Sequence, residues 1–310
     1  MKKLYLVATL TCALQLLLHA GPVRVSFLNN SEALQGTLNV LTNNGCSDQA
    51  VGIFSECVLH YYATSFEFNF SKFPRSQAGF YSFKTIQEFI AALPHRLPET
   101  QHAFDLNCFD MMIILANDKI KTALHPDDNF GPFLSSYTTT NGQGIAFAAT
   151  ARDAFNIVDP DWYRETTKPF FPDSVQAARI CLTAELFRWH ILPASTREQT
   201  LQAGVMSVLR TAWQREQIKF PQTFELVLCH GVHLPSLTVC TAHTGLLFHH
   251  GKGYAYIEKA GGSGPFVRLD FDERSDLLPW LSASFNENEH KVGHLFATFN
   301  DTEIKSLDAK

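Results

Sequence analysis

From Phe224 to the end, the chain reads as strands, whereas the region before it carries helical periodicity. Phe224–Leu228, His243–Phe248, Tyr254–Lys259, Phe266–Phe271 and His294–Phe299 are short runs of aromatic and aliphatic residues. Turn residues separate several of them, as in His249-His250-Gly251-Lys252-Gly253, and such spacing predicts antiparallel hairpins. Upstream, helices are expected over Asp48–Tyr62, Ser82–Leu93 and Ser174–Leu192. The last places Val175, Ala178, Leu182 and Leu186 at near-helical spacing. Thr196-Arg197-Glu198-Gln199 reads as a capping box opening a further helix that carries Leu201, Val205, Val208, Leu209 and Trp213. Leu93-Pro94-His95-Arg96-Leu97-Pro98 breaks helix, residues 126–144 read as loop, and Ile145–Ala148 as a short strand or helix start. Helices first and an antiparallel sheet last predict an α+β fold. No repeat or low-complexity linker divides residues 21–310, so one domain is expected, helical in its N-terminal half and over residues 173–217.

Compartment follows from the first twenty residues. Lys2 and Lys3, an apolar stretch from Leu4 to Leu18, and Leu18-His19-Ala20 have the layout of a secretory signal peptide. The protein is therefore expected to be exported, periplasmic or secreted. No later stretch approaches the eighteen or so apolar residues that cross a bilayer, so stable membrane insertion is not expected. A net charge of −5 with 18 % charged residues argues against nucleic acid as a partner. Export permits disulfides, and Cys229–Cys240 and Cys46–Cys57 are the expected pairs, leaving Cys181 and Cys108 as thiols.

Cys108 then becomes the most reactive candidate. It stands before Phe109-Asp110-Met111-Met112-Ile113-Ile114-Leu115, a run apolar enough to be a buried helix. A cysteine nucleophile works as a thiolate, which the partial positive charge of a helix N-terminus favours. Asp105 or Asn107 would cap that helix. An oxyanion needs the Cys108 amide plus a second donor, and Gln101, His102 and Asn107 lie at suitable chain distance. The plain alternative is a buried, inert thiol.

His243-Thr244-Gly245 opens a strand well downstream, and Glu258 follows on the next one. Glu258 would fix the tautomer of His243 if the two share a sheet face. They do so if paired residue numbers across the hairpin sum to an odd value, as with His249 opposite Tyr254. An even sum puts them on opposite faces. A solvated carboxylate beside Lys259 is the competing description of Glu258. Two further functions compete. Cys229, His233, Cys240 and His243 are soft ligands near zinc-module spacing, although exported thiols oxidise and the pairs lack the usual two-residue gap. A non-catalytic ligand-binding module would instead use aromatics such as Tyr61, Tyr62, Trp162, Tyr163, Tyr254 and Tyr256 to line a groove.

The segment His243–Phe271, with Glu258-Lys259-Ala260 and Pro265-Phe266, resembles the C-terminal block of a secreted bacterial family, domain-of-unknown-function family 4300. Asp105-Leu106-Asn107-Cys108 resembles that family's asparagine-cysteine motif, with Phe109 where an arginine is expected next. The family is similar in turn to the papain-like and NlpC-type cysteine peptidases, which share the order of helix-borne cysteine, strand histidine and polar partner. The resemblance implies a papain-like fold, with Cys108 as nucleophile, His243 as base and Glu258 as orienting residue. It implies hydrolysis of an amide bond in a peptide or peptidoglycan-like substrate, with no cofactor.

Overall fold

The computed structural model describes residues 22–64, 73, 78–93, 107–125, 133–136, 145–148, 175, 181–182, 185–187, 190–234, 237–260, 264–286 and 294–308. The expected leader at residues 1–20, Gln101, His102, Asp105, Trp162, Tyr163 and residues 137–144 lie outside these.

A nine-stranded antiparallel sheet organises the chain, so the α+β expectation holds. Its strands are β1 (Val23–Ser26), β2 (Tyr81–Phe83), β5 (His190–Ile191), β6 (Phe224–His233), β7 (Thr238–His250), β8 (Gly253–Lys259), β9 (Phe266–Phe271), β10 (His294–Phe299) and β11 (Glu303–Ser306). They run in the order β11-β10-β6-β7-β8-β9-β1-β2, with β5 pairing onto β7. Strands β3 (Phe133–Ser136) and β4 (Ile145–Ala148) pair separately. The helices that accompany them include α1 (Ser31–Asn43), α2 (Asp48–Thr64), α3 (Ile86–Ala92), α4 (Cys108–Ala116), α5 (Leu201–Arg215) and α6 (Leu277–Asn286), and Val175, Cys181, Leu182, Glu185 and Leu186 are helical as well.

The central strands are apolar on both faces, because helices cover both. Leu226, Leu228, Leu246, Phe248, Ala255 and Ile257 join one core with residues of α1, α2, α4 and α5. Their sequence neighbours Val227, Cys229, Leu247 and Tyr256 join a second core with Ile86 and Phe89 of α3 and Leu277, Trp280 and Leu281 of α6. Each large side chain so buried stabilises the fold by about 1.5–3 kcal/mol. Side chains of α5 also reach the border strand β11 and the turn before it. Gln202 Nε2 donates to the Ile304 carbonyl at 2.9 Å, and Arg210 donates to the carbonyls of Asp301 and Thr302 at 2.8 and 3.1 Å.

Several expectations are corrected. Ser82 lies in β2, where Tyr81–Phe83 pairs with β1, and helix begins only at Ile86 behind a Thr85 cap. The Thr85 hydroxyl accepts from the Glu88 amide at 3.1 Å, a start signal that ends the strand two residues earlier. The helix expected to reach Leu192 stops short, since His190 and Ile191 pair with Val239 and Thr238 of β7. Pro193 disfavours helical backbone just before it. Thr196 does not open a capping box. A 3₁₀ turn over Glu198–Thr200 precedes α5, and the Arg197 amide bonds to the Thr200 hydroxyl instead.

Neither expected disulfide forms: all six described cysteines are buried free thiols. Cys46 precedes α2 and Cys57 lies near its middle, roughly 14 Å along the axis at 1.5 Å per residue, beyond disulfide reach. Cys240 stands opposite Gly231, not opposite Cys229. Burial pushes Cys46 and Cys240 up to about 12, and raises Cys57 and Cys229 as well. Lys259, next to Glu258, is fully buried, with its ammonium 4.4 Å from the Tyr61 ring centroid and bonded to the Gly264 carbonyl. Tyr61 and Tyr256 are buried too, which removes both from any exposed groove.

Candidate active site

Asn107 sets where α4 begins. Its side-chain oxygen accepts from the Asp110 amide at 2.9 Å, the Asp110 carboxylate accepts from the Asn107 amide at 3.3 Å, and Asn107 O accepts from Met111 N at 3.2 Å. This reciprocal cap makes Cys108 the first helical residue. Of the first-turn amides, those of Cys108 and Phe109 are left unused by Asn107, and the helix dipole adds partial positive charge there. Every residue from Met111 to Ala116 is buried, so the sulfur rides on a rigid element.

The other two groups come from the central hairpin. Gly245 pairs with Glu258 and His249 with Tyr254, so paired numbers sum to an odd value. His243, two residues before Gly245, therefore shares a face with Glu258. Next to it the β6–β7 register slips: Cys229 faces His243, but His230 faces Thr241, leaving Ala242 as an extra residue. Such a bulge re-aims the neighbouring side chain.

The outcome is a buried relay. His243 Nε2 meets Glu258 Oε2 at 2.6 Å, and Cys108 lies close enough to the same ring to influence its charge. Since Glu258 occupies Nε2, Nδ1 is the nitrogen left for the thiol. Glu258 is fully buried yet saturated with donors: Tyr256 Oη–H donates to Oε2 at 2.9 Å and Trp280 Nε1–H to Oε1 at 2.7 Å. This excludes a solvated role for the carboxylate. Burial by itself pushes the His243 imidazole down, but the acidic groups Cys108 and Glu258 beside it and the bond to Glu258 outweigh it, carrying it up to about 10. An imidazolium beside a cysteine sulfur is the partner that a thiolate nucleophile needs.

Cys108, His243 and Glu258 thus come together, with Asn107 as cap. Tyr256 and Trp280 were not singled out for this site by the sequence. Tyr256 carried a usable signal, because a residue two before Glu258 on a strand shares its face. Gly245 is the matching clue, for a Cβ there would overlap the Tyr256 ring and hydroxyl. Gly245→Ala is expected to cost about 2 kcal/mol through that overlap, measured by urea unfolding. Combined with Tyr256→Ala, the two losses should be less than additive, because removing the ring removes the overlap. Trp280 had no cue, since nothing in a helix sequence tells which strand group its indole meets.

Among the described residues, no three His, Cys, Asp or Glu side chains converge as a metal site. Cys229 and His243 face each other, but Cys240 stands opposite Gly231 and the His243 ring is engaged by Glu258 and Cys108. His249 and His250 are exposed at the hairpin tip. A cavity of about 410 Å³ opens at that end of the sheet, lined by Glu225, Leu247, His249 and Tyr254 among others, away from Cys108. No described helix is long and apolar enough to cross a membrane.

No family model, curated protein or solved structure matches this chain.

Proposed function

We propose that the protein is an exported thiol hydrolase of papain-like fold that cleaves an amide bond. The observation that carries this reading is His243 bonded to Glu258 at 2.6 Å and set near Cys108, which begins a capped helix. Cys108 thiolate attacks the carbonyl carbon, and the charge that develops on oxygen meets the Cys108 amide, with Asn107 as the candidate second donor. His243 gives its Nδ1 proton to the leaving amine, then takes one from the water that breaks the thioester. Glu258 stays ionised and keeps the ring oriented. The resemblance to family 4300 and the NlpC-type enzymes supports a peptide or peptidoglycan-like substrate, with cell-wall peptide as the leading choice. No cofactor enters the chemistry.

Iodoacetamide at pH 6.5, with mass-spectrometric mapping, tests the reading. Cys108 should be alkylated ahead of Cys46, Cys57, Cys229 and Cys240, which burial holds as thiols. His243→Ala should slow that alkylation at least tenfold, on the order expected for loss of a base. Equal rates in both proteins, or modification elsewhere first, would overturn the triad. Cleavage of cell-wall peptides that persists in Cys108→Ala would overturn the mechanism.

A further inference from the structure

We infer that Tyr256 and Trp280 are positioning residues, which hold the Glu258 carboxylate in its charged form and thereby keep His243 protonated toward Cys108. The inference rests on the hydrolase reading for its catalytic meaning, but its physical content does not.

A carboxylate and an imidazolium in a dry site have an alternative arrangement, in which the shared proton sits on the carboxylate and both partners are neutral. Burial favours that neutral pair, because the charged forms lose their hydration. Something must supply the missing solvation if the ionic pair is to persist. Here Tyr256 and Trp280 do so, each by one O–H or N–H bond to a different carboxylate oxygen. Together with His243 they give Glu258 three donors with no water required. Neither donor can favour the protonated acid to the same degree, since each presents a hydrogen that the anion accepts more strongly.

Both donors are fixed by the second core. The Tyr256 ring occupies the space that the missing Gly245 side chain leaves open. Trp280 stacks on Phe89 with centroids 5.2 Å apart and planes 28° apart, which ties α6 to α3 around the indole. Burial and Glu258 both raise the Tyr256 hydroxyl well above its ordinary range, so it remains a donor. Trp280 brings in an element from outside the sheet. The relay is therefore assembled only when α6 is docked.

Tyr256→Phe and Trp280→Phe keep an aromatic ring in place and remove one donor each. The test follows the His243 ring nitrogens by ¹⁵N NMR as pH is raised, in the full chain. The expected result is that His243 loses its charge at a pH lower by about one unit in each variant, given the strength of a bond to a charged group. Cys108 alkylation at pH 6.5 should slow in parallel. In a Glu258→Gln background the same two substitutions should add no further shift, because they act through the carboxylate. Unchanged titrations, or an equal shift in the Gln background, would overturn the inference. If peptide cleavage fails while the titration moves as stated, the hydrolase reading falls and the positioning role stands.

Discussion

Glu258→Ala is expected to lower the free energy of unfolding by about 3–5 kcal/mol, the cost of removing one partner from a buried charged pair. Three donors lose their acceptor at once: the His243 ring, the Tyr256 hydroxyl and the Trp280 indole. A fully buried side chain is also deleted, and the imidazolium is left without its nearest counter-charge. Glu258→Gln should cost less, because its amide oxygen still accepts on one side and the side chain still fills the space, although its NH₂ faces a donor on the other. Urea unfolding at pH 7 reads both values. A loss below about 1 kcal/mol for Glu258→Ala would mean that water solvates these groups, and that the relay is not dry.

The second large effect lies at a histidine outside the relay. His230 is fully buried, with Nε2 at 2.8 Å from the Thr298 hydroxyl and Nδ1 at 3.2 Å from that of Thr241. Thr241 donates its single hydroxyl hydrogen to the Leu186 carbonyl at 2.8 Å, so it can only accept from His230 Nδ1–H. Nε2 then accepts from Thr298. Burial favours the neutral ring, and a second proton on Nε2 would reverse the Thr298 bond, with that hydroxyl then accepting. Burial, with a contribution from His190, lowers His230 from 6.5 to about 3. Between those pH values the unfolded chain binds a proton that the native chain does not, so stability falls as pH drops. The full contribution is present above pH 6.5 and declines by about 1 kcal/mol per pH unit down to about 3. His230→Gln keeps one donor and one acceptor but does not titrate. Its stability should therefore be flatter than wild type across this window, and matching slopes would defeat the assignment.

What could be read in advance was local or periodic. The Asn107 cap and the Gly251-containing hairpin are written in adjacent residues, and the hairpin reduced the placement of Glu258 to a choice between two registers. The burial of Val205, Leu209 and Trp213 in α5 follows from a helical stripe. Misreadings arose where tertiary pairing decides. Ser82 belongs to a strand because β1 lies beside it, and His190–Ile191 because β7 does. Cysteine pairing failed for the same reason, since distance along the chain does not reveal which residues a sheet sets opposite each other. The strand histidine was found from its neighbours, but the bulge that aims it was not. That bulge depends on a one-residue mismatch between two strands, visible only once they are paired.

The contacts from Gln202 and Arg210 to the outermost ribbon have a colloidal consequence. A bare strand at the rim of a sheet is a template on which a second molecule can add its own backbone. At β11, α5 already engages the Ile304 carbonyl that such an intruder would seek, and at the opposite rim β2 is only three residues long. Both rims thus discourage growth of the sheet from one molecule to the next, a built-in guard against fibril formation.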